Sequence, residues 1–150
     1  MASFAATRPV NPPGVELVLT EEQVWKALEY KARNPALFVK AITSAEVVKD
    51  GGNKVTRLVS IMNGPKVQED IESHANAVIY FDFTERPNRV LNVLSYGPEG
   101  EMLLTYCFAG GIPGVDPKDD KTVEELNKMV GGVIDHGIGV IRDLVREGKL

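Results

Sequence analysis

Apolar and polar residues alternate along most of the chain between residues 42 and 109, as is typical of β-strands that bury one face. Six strands are predicted there, near residues 42–49, 54–62, 66–74, 77–84, 89–96 and 101–109. Clusters of Gly, Pro, Asn and Asp separate them, and such short connections indicate an antiparallel meander. A further edge strand is predicted at residues 3–10, ahead of the turn sequence NPPG.

Two other regions repeat their apolar residues with the period of an amphipathic helix. The first helix begins at Thr20, which forms a capping-box sequence with Gln23. Pro35 then starts a second, short helix that runs to about residue 41. The last region, beginning near Asp116 or at Thr122, predicts a long C-terminal helix with a continuous apolar stripe.

These elements predict one α+β domain over residues 1–150. A sheet of this width must bury one face, and the long helix is the only large element that could cover it. We therefore predict a helix-grip (START-like) fold, in which a curved seven-stranded antiparallel sheet wraps around the C-terminal helix. Two short helices follow the first strand.

Composition narrows the possible function classes. The net charge is −4, and no basic block interleaved with aromatic residues is present, which argues against nucleic-acid binding. No apolar run reaches the roughly 20 residues of a membrane span, and the N-terminus does not resemble a secretory signal. We expect no membrane association and a cytoplasmic protein. One cysteine and two separated histidines show no metal-site spacing, so neither a metal nor a cofactor is expected.

A tight turn at Asp50–Asn53 connects the first two strands of the meander. If Lys49 faces Lys54, then Glu46 faces Arg57 on the more apolar, inward side. There Arg57 could bind an enolate, carboxylate or thioester oxygen, while Glu46 orients it or removes an acidic proton. The alternative is an exposed cross-strand ion pair of little energetic value.

The next strand offers a second candidate base, Glu69. Its register is open: one alignment turns Asp70 and His74 toward the Arg57 face, and a slip of one residue turns Glu69 there. The apolar residues Val67 and Ile71 favour the alignment with Glu69 inward. Otherwise these groups form a solvated edge of the sheet.

Other inward positions suggest substrate contacts. Phe81, Val59 and Ile134 could form an apolar wall, and Asn92 is either a pocket donor or a structural amide. Tyr106 could donate a hydrogen bond to a carbonyl oxygen, or it is a core tyrosine bonded to the backbone. The glycines of MVGGVIDHGIG leave room for a cavity beside the last helix, or they allow close packing.

The stretch NPPGVELVLTEEQVWKALEYKARNPALFVKAITSAEV resembles the start of the AtaL-like family. VTRLVS, VLNVLSYGPEGEMLLTYCF and GIGVIRDLVREGKL match as well, so the resemblance spans essentially the whole chain. The family belongs to the START-like (SRPBCC) superfamily, together with aromatic polyketide cyclases and birch-pollen-allergen proteins. It is common in fungi, often within secondary-metabolite clusters. Glu46, Arg57, Asn92 and Tyr106 fall at matching positions.

The resemblance implies a cofactor-independent polyketide cyclase. Its substrate would be an apolar small molecule such as a linear poly-β-keto intermediate, which is cyclised or lactonised to a pyrone and released. A polyketide synthase is a possible partner. The alternatives are a binding protein that carries an apolar metabolite without chemistry, and an interaction protein with a filled core.

Overall fold

The computed structural model describes residues 3–150 and contains one seven-stranded antiparallel sheet. The strands, in spatial order, are β1 (Phe4–Pro9), β7 (Met102–Ala109), β6 (Arg89–Tyr96), β5 (Val78–Phe83), β4 (Lys66–His74), β3 (Lys54–Ile61) and β2 (Ile42–Asp50). The helices are α1 (Glu21–Arg33) and α2 (Val123–Arg146). The curved sheet wraps around α2, which confirms the predicted helix-grip fold.

The helix ends follow the local signals in the sequence. Thr20 accepts a hydrogen bond from the Gln23 backbone, and the Gln23 side chain accepts one from the Thr20 backbone, so the predicted capping box forms. Thr122, rather than Asp116, caps α2 by accepting a bond from the backbone of Glu125. The second short helix is a single 3-10 turn, Pro35–Leu37.

The apolar core lies between the sheet and the helices. From α2, Val130, Ile134, Ile138 and Ile141 are almost fully buried, and they repeat at three- and four-residue spacing, as one helix face requires. The buried face of α1 closes one side of this core. Among residues 3–150, no helix combines the length and apolar content needed to cross a membrane.

The predicted register of the β2–β3 hairpin is correct only at Ile42, which pairs with Ile61. An irregularity between Ile42 and Ser44 shifts the pairs up to Val47 by one residue, and a second one between Val47 and Lys49 shifts the remaining pairs by two. Glu46 therefore pairs with Leu58, and Arg57 pairs with Val47. A β-bulge adds a residue to one strand only, so the unbroken pairing that the prediction assumed fails from the first irregularity to the turn.

The glycines of α2 serve different purposes. A β-carbon at Gly131 would overlap the guanidinium of Arg8, which crosses the helix and donates hydrogen bonds to the side chain and the carbonyl of Asn127. A β-carbon at Gly132 would meet nothing within 4 Å. Close packing therefore explains Gly131, whereas Gly132 faces open space.

Candidate active site

A cavity of about 320 Å³ lies between the concave face of the sheet and α2. Its wall is mostly apolar and includes Phe81, Phe83, Phe108 and Val130. Met62 also lines it although 68% of that residue is exposed, which places an opening near the turn between β3 and β4. Some of the inward residues of the sheet therefore line a cavity, while others pack in the core.

Five polar side chains interrupt this apolar lining. They come from α1, β3, β4, β6 and β7, and they are Lys31, Arg57, Glu69, Asn92 and Tyr106. Each is at most 5% exposed. Burying that many polar groups is costly unless they find partners, so their hydrogen bonds show which of them the fold satisfies.

Arg57 and Glu69 form a buried ion pair across β3 and β4. The two residues are direct partners in the sheet, and Nη2 of Arg57 lies 3.1 Å from Oε1 of Glu69. The Nε of Arg57 donates to the same oxygen at 3.3 Å. Both bonds use Oε1, so Oε2 of Glu69 makes no hydrogen bond within residues 3–150 and is left for the cavity.

Arg57 also holds the end of α1. Its Nη1 donates to the carbonyl oxygen of Ala32 at 2.8 Å and to that of Lys31 at 3.3 Å. These carbonyls belong to the last turn of the helix, where backbone acceptors lack helical partners and the helix dipole favours a cation. Burial lowers the pKa of Arg57 from its usual value, and the adjacent Glu69 carboxylate opposes this shift.

Lys31 is the site residue that sequence analysis missed. Its Nζ donates a 2.7 Å hydrogen bond to Oδ1 of Asn92 and lies 4.0 Å from the centroid of the Tyr106 ring. Burial, the largest cause, and the nearby Arg57 together lower the pKa of Lys31 to about 7, while Glu69 acts in the opposite direction. An amine with such a pKa is neutral in a large fraction of molecules near pH 7.

A signal for Lys31 was present in the helix pattern. It lies seven residues after Val24 and three after Leu28, so it shares the buried face of α1 with them. A lysine on an apolar stripe is often a side chain whose amine reaches solvent. Here the amine does not reach solvent, because it points into the cavity and contacts Asn92 of β6 and Tyr106 of β7.

Asn92 has one satisfied and one unsatisfied group. Its Oδ1 accepts the hydrogen bond from Nζ of Lys31, which has N–H groups to donate in both its neutral and its protonated form. The buried Nδ2 has no hydrogen-bond partner within residues 3–150. An unpartnered buried donor is rare and costly, so it marks a place where a ligand acceptor would be favoured.

The Tyr106 hydroxyl is also free of protein partners. It makes no hydrogen bond within the described residues, unlike the backbone-bonded core tyrosine considered as an alternative. A β-carbon at Gly137 would lie 3.2 Å from this oxygen, so the glycine allows the ring to approach α2. Burial raises the pKa of Tyr106 well above its usual range, which keeps the hydroxyl protonated as a donor.

Three predicted site residues lie elsewhere. Glu46 points to solvent with 62% of its side chain exposed, and its nearest cation is Lys66 at 3.9 Å, because the hairpin register differs from the predicted one. Val59 and Ile134 are fully buried but belong to packed core positions outside the cavity lining. Phe81 does line the cavity, with its ring centroid 5.3 Å from the Arg57 guanidinium carbon.

No cluster of three or more His, Cys, Asp or Glu side chains suited to a metal ion occurs within residues 3–150. The polar groups that do converge on the cavity are an amine, a guanidinium, a carboxylate, an amide and a phenol. Together they can donate hydrogen bonds to carbonyl oxygens and move protons.

The family model described as "Acetylaranotin biosynthesis cluster protein L" (AtaL) matches residues 4–148. No curated protein matches the chain.

Solved structures with the same fold are similar over nearly the whole chain. The solution structure of KanY protein has a TM-score of 0.62 and 13% identity, covering 97% of this chain and 99% of that one. The di-domain ARO/CYC StfQ from the steffimycin biosynthetic pathway has a TM-score of 0.61 and 11% identity, covering 97% of this chain and 51% of that one. XoxI from Bacillus cereus has a TM-score of 0.57 and 15% identity, covering 95% and 94%.

Proposed function

The chain belongs to the AtaL family, and on this premise we propose that it is a cyclase of polyketide-related biosynthesis. Its substrate would be a short linear poly-β-keto intermediate, bound in the cavity as a thioester. Its product would be the lactonised ring, a pyrone. The reaction needs proton transfer and carbonyl polarisation, which the residues of the cavity can provide without a cofactor.

The unpartnered Nδ2 of Asn92 is the observation that carries this proposal. Together with the free Tyr106 hydroxyl, it gives the apolar cavity two hydrogen-bond donors without a protein acceptor. A poly-β-keto chain presents carbonyl oxygens on every second carbon and has no charge along its length. Such a chain satisfies both donors while its remaining atoms contact the apolar wall.

The size of the cavity limits the substrate. A volume of about 320 Å³ is at the lower end of the range of roughly 300–1,000 Å³ found for small-molecule sites. This favours a chain that closes one ring over the long chains that fold into several fused rings. The half-open cavity mouth would admit the chain while its thioester end extends toward a carrier domain of a polyketide synthase.

In the proposed mechanism, Oε2 of Glu69 removes the enol proton of a β-keto unit. The enol oxygen then attacks the thioester carbonyl carbon, and negative charge develops on that carbonyl oxygen. Asn92 Nδ2 and Tyr106 Oη donate hydrogen bonds to the polarised oxygens, where their effect on the transition state is greatest. The carbon–sulfur bond breaks, and the thiolate takes the proton from Glu69.

Arg57 is a positioning residue in this scheme. The hydrogen bonds of its Nε and Nη1 are committed to Glu69 and to the end of α1, and Nη2 also binds Glu69. It holds Oε1 of Glu69, so that Oε2 points to the substrate. Holding the chain in a folded, reactive conformation would provide most of the rate acceleration, and the fixed position of Glu69 contributes to it.

The test compares rates of pyrone formation from a short diketo thioester, followed by liquid chromatography and mass spectrometry. Wild type, Glu69→Gln and Asn92→Leu would be run beside a protein-free reaction. Asp70→Asn is the matched control, because Asp70 is the next residue of β4 and bonds Thr56 on the outer side of the sheet. We expect acceleration by wild type and Asp70→Asn, and a loss of at least about tenfold in Glu69→Gln.

A carrier protein without chemistry is the second candidate, and the engagement of Arg57 by protein groups is the observation that favours it. A carrier would retain the diketo thioester or its pyrone and leave the rate of ring closure equal to that of the protein-free reaction. That result would overturn the cyclase for the tested substrate class.

A further inference from the structure

The proposed cyclisation leaves one group of the cavity unused, the amine of Lys31. This side chain is 5% exposed and lies over the rings of Tyr106 and Phe81, at 4.0 and 5.7 Å from their centroids. Its one hydrogen bond to a side chain, to Asn92, leaves N–H groups without partners within residues 3–150. Arg57 is a cation nearby, so protonation of Lys31 would bury a second positive charge beside the first, and the two would repel each other.

We propose that Nζ of Lys31 is a carbonyl-reactive nucleophile that condenses with one ketone of a β-dicarbonyl ligand. The product is an imine, which tautomerises to an enaminone because the second carbonyl is conjugated with it. The inference rests on the proposed function in one respect, namely that the same cavity accepts β-dicarbonyl compounds.

The neighbours of Lys31 meet the requirements of such a step. A lysine becomes nucleophilic when its neutral form is favoured by an apolar pocket or by a nearby cation, and Lys31 has both. The charged or titratable groups that face it are Arg57, Glu69 and Tyr106. Glu69 and the face of the Tyr106 ring favour the protonated amine, whereas Arg57 opposes it. The pKa of about 7 leaves enough neutral amine at neutral pH.

Asn92 is placed to hold both the Lys31 amine and one carbonyl oxygen of the ligand. Its Oδ1 holds the amine at 2.7 Å, and its unpartnered Nδ2 is on the same amide group. A β-dicarbonyl compound has two oxygens separated by three carbons. One carbonyl carbon can therefore meet the amine while the other oxygen accepts a bond from Nδ2.

The condensation is balanced without a further reagent. The nitrogen lone pair forms a bond to the ketone carbon, and a proton passes from nitrogen to the ketone oxygen to give a carbinolamine. Loss of one water molecule gives the imine, and movement of a proton from the central carbon to nitrogen gives the enaminone. Glu69 Oε2 and the Tyr106 hydroxyl are the nearby groups able to relay these protons.

The test treats the full-length protein with 2,4-pentanedione at pH 7 and measures the intact mass, followed by peptide mapping. We expect one adduct, with a mass increase equal to the diketone less one water, located on Lys31. The matched control is Lys26→Met, which removes an exposed lysine of the same helix and should label like wild type. Lys31→Met should lose the adduct, and labelling of Lys31 should exceed that of Lys26 by more than about tenfold.

Labelling confined to exposed lysines, or equal labelling in Lys31→Met, would overturn the inference. The wild-type peptide map decides this even if the variant does not fold. Dimethyl malonate separates the two proposals, because it presents the same acceptor oxygens on carbonyls that resist condensation. If calorimetry shows that the diester binds but the diketone gives no Lys31 adduct, only the proposal of a nucleophilic lysine is overturned. If the diester does not bind and no adduct forms, both proposals are overturned.

Discussion

Arg57 on β3 and Glu69 on β4 lie directly opposite each other, and their side chains form an ion pair of 3.1 Å in the interior of the sheet. Each is 3% exposed. Because Arg57 also binds the last carbonyls of α1, one guanidinium joins the sheet, the helix and the carboxylate of the cavity. The pair is thus both a structural element and the support of the candidate base.

Removing Arg57 should be strongly destabilising. In Arg57→Met the Glu69 carboxylate stays buried without its cation, so we expect the free energy of unfolding to fall by about 3–5 kcal/mol in urea titrations. Arg33→Met is the control, since its ion pair with Asp50 is partly exposed and should be worth no more than about 1 kcal/mol. The double variant Arg57→Met/Glu69→Met should recover part of the loss; an equal or larger loss would contradict the explanation.

The burial of Lys31 should make stability depend on pH. Its pKa is about 7 in the folded protein and 10.5 as the ordinary value, so between these values the unfolded chain binds a proton that the folded chain lacks. The free energy of unfolding should therefore rise with pH in this window, by up to about 1.4 kcal/mol per pH unit. Measured by urea unfolding, the rise should be present in wild type and absent from Lys31→Met; parallel curves would contradict it.

Two adjacent glycines of α2 should respond in opposite ways to alanine. Gly132→Ala adds a β-carbon in open space, so we expect a gain of up to about 1 kcal/mol in the free energy of unfolding from helix propensity. Gly131→Ala must displace the guanidinium of Arg8 from Asn127, which should cancel that gain or reverse it. Equal melting temperatures for the two variants would contradict this expectation, because they would show that the Arg8 side chain can move away without loss of stability.

Gly137→Ala should affect ligand binding more than stability. The added methyl group would lie 3.2 Å from the Tyr106 hydroxyl oxygen and would push this donor from its position. We expect weaker binding of dimethyl malonate by calorimetry, while the melting temperature changes little because helix propensity offsets the contact. Gly139→Ala, whose β-carbon meets nothing within 4 Å, is the control and should bind like wild type.

Glu46→Ala should leave ring closure of the diketo thioester unchanged. The side chain is exposed on the edge strand β2 and makes only a long contact with Lys66. Any loss of rate comparable to that in Glu69→Gln would show that β2 rearranges to bring Glu46 to the cavity. The measurement is the rate of pyrone formation from the diketo thioester, under the same conditions as for wild type.

Much of the fold was readable from local patterns. The seven strands were predicted within about one residue of their observed ends, because alternation and turn residues act over a few positions. The cap at Thr20 was visible for the same reason, and Thr122 was one of two candidate starts of the last helix. Alternation also indicated that Phe81 turns inward, and it left Asn92 and Tyr106 with a pocket role as one of two interpretations; all three line the cavity.

Pairing between strands and the state of buried charges depended on the folded chain. Two bulges in β2 moved Glu46 away from Arg57, and bulges arise where a curved sheet must bend, which residue alternation does not encode. The open register of β4 was settled with Glu69 opposite Arg57. Lys31 is buried because its amine points into the cavity, against Asn92 and Tyr106 of distant strands. The desolvation that follows lowers its pKa, so the most distinctive chemistry of the cavity is a property of tertiary packing.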